Sequence, residues 1–204
     1  INAINEVTGE PEQYRAKFMM ACAGYYNYDQ GYRPDFPGEK NFKGLIVHPQ
    51  HWPENLDYTG KKVVVIGSGA TAVTLIPSMA DKVDHITMLQ RSPSYIFSLP
   101  SVDALTKVLQ KTLPSKLAYK LNRTRTIGLA HFMFKASKSK PEVVRRFLIA
   151  MMRRQLKGSN VDIKHFTPNY MPWDQRLCLV PDGDFFKALR SGKASVATDT
   201  IKQF

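Results

Sequence analysis

A chain of 204 residues, 43% of them hydrophobic, has room for one or two domains and material for a buried core. No apolar run reaches the ~18 residues that a membrane-spanning helix requires, so the sequence offers no such helix. The net charge is +12, and the whole excess falls between Asp103 and His165, where fifteen Lys and Arg face three acids; the remainder is balanced at fourteen of each sign. Three readings of that segment stand open: a solvated helical face, a positive wall beside an anionic cofactor, or a patch that touches an anionic membrane surface. Nucleic acid ranks behind them, because no recognised nucleic-acid module is present. Cys22 and Cys178 are far apart and lack metal-ligand spacing. They read as core thiols, no metal site is expected, and a reducing cytoplasm suits them. The opening Ile1-Asn2-Ala3-Ile4 has no basic or apolar leader, which argues against a secretory signal, and the chain reads as an internal piece of a longer one.

In chain order, residues 1–24 read as extended, and the apolar run from Phe18 to Ala23 before Gly24 predicts a short buried strand. Residues 25–60, rich in Gly and Pro, read as a linker. Val63-Val64-Val65-Ile66 predicts a central parallel strand. A glycine turn follows, then a helix over about residues 70–80 with Pro77 in its last turns, then a second strand from His85 to Gln90. Strand, turn, helix and strand make a βαβ unit. Residues 101–165 read as a helical insertion. Val102, Leu105, Val108 and Leu109 recur there at helical spacing, as do Val144, Phe147, Leu148, Met151 and Met152 after the helix-opening Pro141. These positions predict core stripes rather than substrate contacts. A turn-rich stretch from His165 to Leu177, a helix over 184–190 and a strand over 195–198 complete an α/β, Rossmann-like domain with a parallel sheet.

The sharpest motif is Gly67-Ser68-Gly69-Ala70-Thr71-Ala72, followed by Val73, which fits GxGxxG/A between a strand and a helix. The first glycine permits the tight turn, the second lets backbone approach a pyrophosphate, and Ala72 keeps helix and strand close. The helix N-terminus then offers free N–H groups and a positive dipole end. The second strand ends on Leu89-Gln90-Arg91-Ser92, with no acid to hold ribose hydroxyls. Arg91, assisted by Ser92, suits a 2′-phosphate instead, which points to NADPH.

Upstream, Phe42, Gly44, His48, Trp52 and Pro53 spell FxGxxxHxxxWP. Periodicity alone makes this a linker with buried aromatics. In every position, however, it resembles the fingerprint of type I Baeyer–Villiger monooxygenases; the related flavin-containing monooxygenases share the Phe, Gly and His. Pro172-Trp173-Asp174-Gln175-Arg176-Leu177-Cys178 is similar to the mycobacterial ethionamide-activating branch of that family. The resemblance implies residues 1–58 as part of an FAD domain with the fingerprint linker, 59–100 and 166–204 as the NADPH domain, and 101–165 as the basic insertion. It implies FAD and NADPH as cofactors, and O₂ and a ketone or thioether as substrates. Arg176 would be the active-site cation that steadies negative charge on the transferred oxygen, with His48 and Trp52 coupling the two dinucleotide domains. Two departures stand out. The family's second GxGxxG, for FAD, is not in this sequence, and Gln175 replaces the lysine that many members carry before the arginine. Against a catalytic Arg176 stands a structural ion pair with Asp174 or Asp182. Against the whole reading stand an N- or S-oxygenating flavin monooxygenase without Baeyer–Villiger activity, and a non-catalytic nucleotide-binding module that docks on a membrane or a partner.

Overall fold

The computed structural model describes residues 1–22, 24 and 26–204. They divide into two units, one of residues 1–35 and 45–52, the other of residues 36–44 and 53–204.

In the first unit, β1 (Asn2–Ile4) and β2 (Pro11–Gln13) form an antiparallel hairpin. The Asn5 side chain closes its turn by accepting from Val7 N and Thr8 N. The buried strand expected over Phe18–Ala23 is not formed: residues 18–22 are irregular, with Phe18 76% and Met20 74% exposed, and Ala23 lies outside the described residues. An apolar run becomes a buried strand only where a sheet receives it and both faces are covered. Among the described residues of this unit, no sheet takes it in.

The second unit holds the sheet. β3 (Lys62–Ile66), α1 (Ala70–Ala80) and β4 (His85–Gln90) are the βαβ unit expected from the sequence, with Pro77 inside α1. β3 pairs parallel with β4 in the register Val64↔Thr87. β5 (Tyr95–Leu99) was not foreseen. Three helices follow, α2 (Ala104–Thr112), α3 (Ser115–Ser139) and α4 (Pro141–Leu156), so the insertion is helical as expected. Asp103 caps α2 by accepting from Leu105 N. Pro141 opens α4, with Glu142 in its first turn and Arg153 and Arg154 in its last, each on the end of the dipole that favours its charge. β6 (Leu177–Pro181), α5 (Asp184–Arg190) and β7 (Ala194–Thr198) close the unit.

The sheet order is β3-β4-β7, all parallel, while β5 and β6 form a separate parallel pair. Ile76, Ile86, Met88, Phe166, Phe185 and Phe186 have no exposed surface and form the centre of the core. α4 joins it through Val144, Leu148, Met152 and Leu156, one turn apart along one face. The core stripe expected there therefore holds, except that Phe147 is 51% exposed. The stripe expected on α2 does not: Val102, Leu105 and Val108 are all about half exposed, because α2 packs on α3 and leaves its outer side uncovered.

Candidate dinucleotide and arginine site

The glycine turn leaves β3 with Gly67 at φ +132, a conformation that L side chains rarely adopt. Gly67 N donates to Leu89 O at 2.8 Å, which holds the turn against the end of β4. Gly69 caps α1 with no side-chain cap bond, and the first helical bond is Val73 N to Gly69 O at 3.1 Å. The N–H groups of Ala70, Thr71 and Ala72 thus precede the helical ladder, and no acid stands in the first turn to compete for them. A Cβ on Gly69 would meet nothing within 4 Å, so packing within the protein does not require glycine there. Open space beside free helix N–H groups fits a dinucleotide phosphate.

Within the motif the side chains divide. Ala72 and Val73 are buried, as close helix–sheet packing requires, and Thr71 is exposed. Ser68 is 4% exposed and its hydroxyl lies 3.0 Å from that of Ser94, so its side chain faces the protein and only its backbone is left to a ligand. Arg91 and Ser92 are exposed directly after β4, at the same end of the parallel sheet as the turn.

Arg176, remote in sequence, is brought to the turn by β6. Leu177 pairs with Tyr95 and Cys178 with Ile96, while the Cys178 thiol donates to Ser68 O at 3.5 Å. Burial pushes that thiol's pKa up, and the nearby Arg176 charge opposes the shift. Arg176 itself is exposed. Both carboxylates that offered a structural ion pair are engaged elsewhere. Asp174 pairs with Lys138 at 2.8 Å, and Asp182 accepts from Ser101 Oγ at 2.5 Å, which holds its carboxyl below the usual range. Arg176 forms no ion pair among the described residues.

The matched linker residues fall in both units. Phe42, Gly44 and Pro53 belong to one, His48 and Trp52 to the other. The Phe42 ring folds over Gly44, where a Cβ would lie 2.6 Å from Phe42 Cζ, and meets the Phe204 ring edge-on at 5.7 Å. In the other unit the His48 ring lies against Gly31, where a Cβ would come within 2.0 Å of it, and His48 Nδ1 accepts from Gln50 N. Each glycine is therefore the space that a ring occupies. His48 is engaged in a local cap through its Nδ1.

Ser94, Tyr95 and Tyr170 had no sequence signal that tied them to the turn or to Arg176. The Tyr95-Ile96-Phe97 and Leu177-Cys178-Leu179-Val180 runs were legible as strands, and neither was read as one.

The family model for flavin-binding monooxygenase-like proteins matches residues 4–136. The chain belongs to the flavin-binding monooxygenase-like family. This monooxygenase-like chain is 57% identical over 202 residues to the FAD-binding monooxygenase AlmA of Acinetobacter baylyi, covering 98% of the chain and 40% of that relative. It is 50% identical over 189 residues to the FAD-containing monooxygenase EthA of Mycobacterium tuberculosis, covering 92% of the chain and 39% of that relative. The chain thus spans about 40% of the length of the curated relatives it matches. Among solved structures, a steroid monooxygenase bound to NADP superposes with a TM-score of 0.57 at 18% identity, over 82% of this chain and 38% of that one. A cyclohexanone monooxygenase from Rhodococcus bound to NADP⁺ gives 0.55 at 20% identity, over 82% and 38%. At such identities these two matches speak for the shared α/β fold. Among the described residues, no helix is long and apolar enough to cross a membrane, and no group of His, Cys, Asp and Glu could hold a metal ion.

Proposed function

We propose that this chain is the NADPH-binding, arginine-bearing part of an FAD-dependent monooxygenase that inserts one atom of O₂ into ketones, giving esters or lactones. The observation that carries the reading is the convergence of the glycine turn, Arg91 and Arg176 in a member of this family. NADPH supplies the electrons and bound FAD the oxygen chemistry. The N–H groups at the start of α1 hold the pyrophosphate, and the Arg91 guanidinium with the Ser92 hydroxyl holds the 2′-phosphate. Gln175 brings no second cation, so selectivity for the phosphate rests on Arg91. Arg176 keeps a fixed positive charge beside the negative charge that develops on the oxygen being transferred. His48 and Trp52 couple dinucleotide domains and move no proton. The sequence has one glycine turn of this type, and residues 1–58 form only part of an FAD domain, whose phosphate-binding turn belongs to the rest of a protein of the relatives' length.

The test is Arg176→Ala in the FAD-loaded protein of that length. Ketone turnover should fall by about 10²–10³, the usual cost of losing a preorganised charge partner. Flavin reduction by NADPH should survive better, although slowed. Turnover at the parental rate would remove the catalytic role of Arg176. A parental enzyme that oxygenates thioethers and amines but no ketone would be an N- or S-oxygenating flavin monooxygenase instead.

One observation favours a second reading, in which the insertion also rests on an anionic membrane surface. Residues 104–140 contain nine Lys and Arg and no acid, and Leu121, Leu129 and Phe132 stand exposed among them. Basic side chains next to exposed apolar ones suit an anionic lipid headgroup layer. The full-length protein should sediment with phosphatidylglycerol vesicles at low salt, and less at high salt or with phosphatidylcholine. Equal sedimentation with both lipids, or none with either, would discard the reading.

A further inference from the structure

The stretch that ends on Arg176 is held along its length. Tyr95, 1% exposed, donates from its hydroxyl to Tyr170 O at 2.7 Å. Tyr170 in turn donates from its hydroxyl to Arg176 O at 2.9 Å. The two rings meet edge-on at 5.3 Å and 87°. Burial pushes the Tyr95 hydroxyl pKa up, so it remains a donor across the working pH range. Between the two ends of this link the backbone makes a turn, with Asp174 N donating to Met171 O at 3.1 Å. Trp173 sits there at φ +71, a left-handed conformation that a bulky residue keeps only when its surroundings enforce it. Those surroundings are the Phe134 ring, edge-on at 6.1 Å, and the Lys138–Asp174 ion pair on the neighbouring residue.

We infer that Tyr170 is the positioning residue of the arginine site. Its carbonyl is fixed from the core by Tyr95, and its phenol fixes the carbonyl of Arg176, so the Cα that carries the guanidinium is set from buried β5. The inference rests on the catalytic reading of Arg176. It adds that the reach of Arg176 is decided by Tyr170, which acts through the arginine's backbone carbonyl. A charge partner acts through placement, and a loose supporting shell loses the geometry before it loses the fold.

Tyr170→Phe removes one oxygen and keeps the ring against Tyr95. In the 204-residue chain without cofactors, amide hydrogen exchange over residues 171–177 should rise, while α1 and β4 keep their protection. In the FAD-loaded, full-length protein, ketone turnover should fall roughly five- to tenfold, the scale of one hydrogen bond. Flavin reduction should fall by less than turnover does, and the KM for NADPH should be unchanged. Tyr95→Phe, which breaks the other half of the link, should give the same pattern. In an Arg176→Ala background Tyr170→Phe should be silent, because a positioning residue has nothing left to position. If Arg176→Ala abolishes turnover while Tyr170→Phe changes neither exchange nor turnover, the positioning inference alone fails. If Tyr170→Phe costs the same factor with and without Arg176, its role is general stability and the inference also fails. If Arg176→Ala turns over at the parental rate, the catalytic reading falls and the inference falls with it.

Discussion

Around the glycine turn, Ile76, Ile86 and Met88 have no exposed surface, whereas along α3 Leu129 keeps 60% of its surface and Phe132 65%. Both regions carry large apolar side chains, and both form the elements expected of them. They differ in what stands opposite. α1 faces a parallel sheet on one side and α5 on another, so each apolar side chain has somewhere to go. α2 lies against α3, joined to it at Thr106–Asn122 and by the Arg125–Asp103 ion pair, and α3 has chiefly α2 and α4 along its length to cover it, so its buried residues are Ala118 and Ser137. Helical periodicity states which face could be buried; the opposing element decides whether it is.

The strongest test of that contrast pairs two phenylalanines. Phe186→Ala should cost about 3–5 kcal/mol, since Phe186 is fully enclosed by Phe166 and Phe185. Phe132→Ala should stay within about 0.5 kcal/mol. Urea unfolding of both variants reads the difference, and equal losses would mean that α3 is held as firmly as the core.

At the rim of the buried region, Arg91→Ala should leave stability alone and weaken NADPH by roughly ten- to a hundredfold relative to NADH, for loss of one charge-assisted contact. Calorimetric titration with each cofactor reads it, and the same loss for both would remove the 2′-phosphate assignment.

The two glycines of the turn sharpen the contrast within a few residues. Gly67→Ala forces a side chain onto φ +132 and should lower stability by about 1–3 kcal/mol. Gly69→Ala, at φ −80 with open space around it, should be neutral or stabilise by up to ~1 kcal/mol, yet weaken NADPH because its methyl enters the phosphate space. If Gly69→Ala binds NADPH normally, that space is not the phosphate site.

The smallest effect is a pH dependence. Burial, with Lys164 beside it, holds His165 below the usual histidine range, and its Nδ1 lies 2.7 Å from Thr198 Oγ1. The folded state therefore prefers the neutral ring. The stability tied to that preference is complete above the unfolded value of about 6.5 and is lost as pH falls through the lower folded value. The urea midpoint should drop between pH 7.5 and pH 5.5, and His165→Gln should flatten the drop. An unchanged slope would locate the acid sensitivity elsewhere. The same neighbourhood carries Gln90, whose Nε2 donates to His165 O and Thr198 Oγ1 while its buried Oε1 has no partner among the described residues.

The glycine turn, the strands on either side of it, α1 and the helical insertion were legible because each is written in consecutive residues, whereas the linker motif was legible only through its resemblance to a family fingerprint. A β-branched run, a Gly-x-Gly and a Pro before an apolar periodicity act through local backbone preference and need no distant partner. The Phe18–Ala23 run misled for the complementary reason. It has strand composition, but pairing decides whether a strand forms, and composition does not report pairing. The α2 stripe misled in the same way.

By itself, then, the sequence determined which residues could cradle a phosphate and which arginines could meet anionic groups. Only the tertiary structure decided that Arg176 belongs with the glycine turn. Ser68 and Cys178 stand 110 residues apart in the chain and within hydrogen-bonding reach in space. They meet because β6 pairs with β5 behind the turn, with Tyr95 and Tyr170 fastening the arginine's backbone to the core. Such contacts form only once the intervening helices have folded back, and no local preference of the residues involved encodes them.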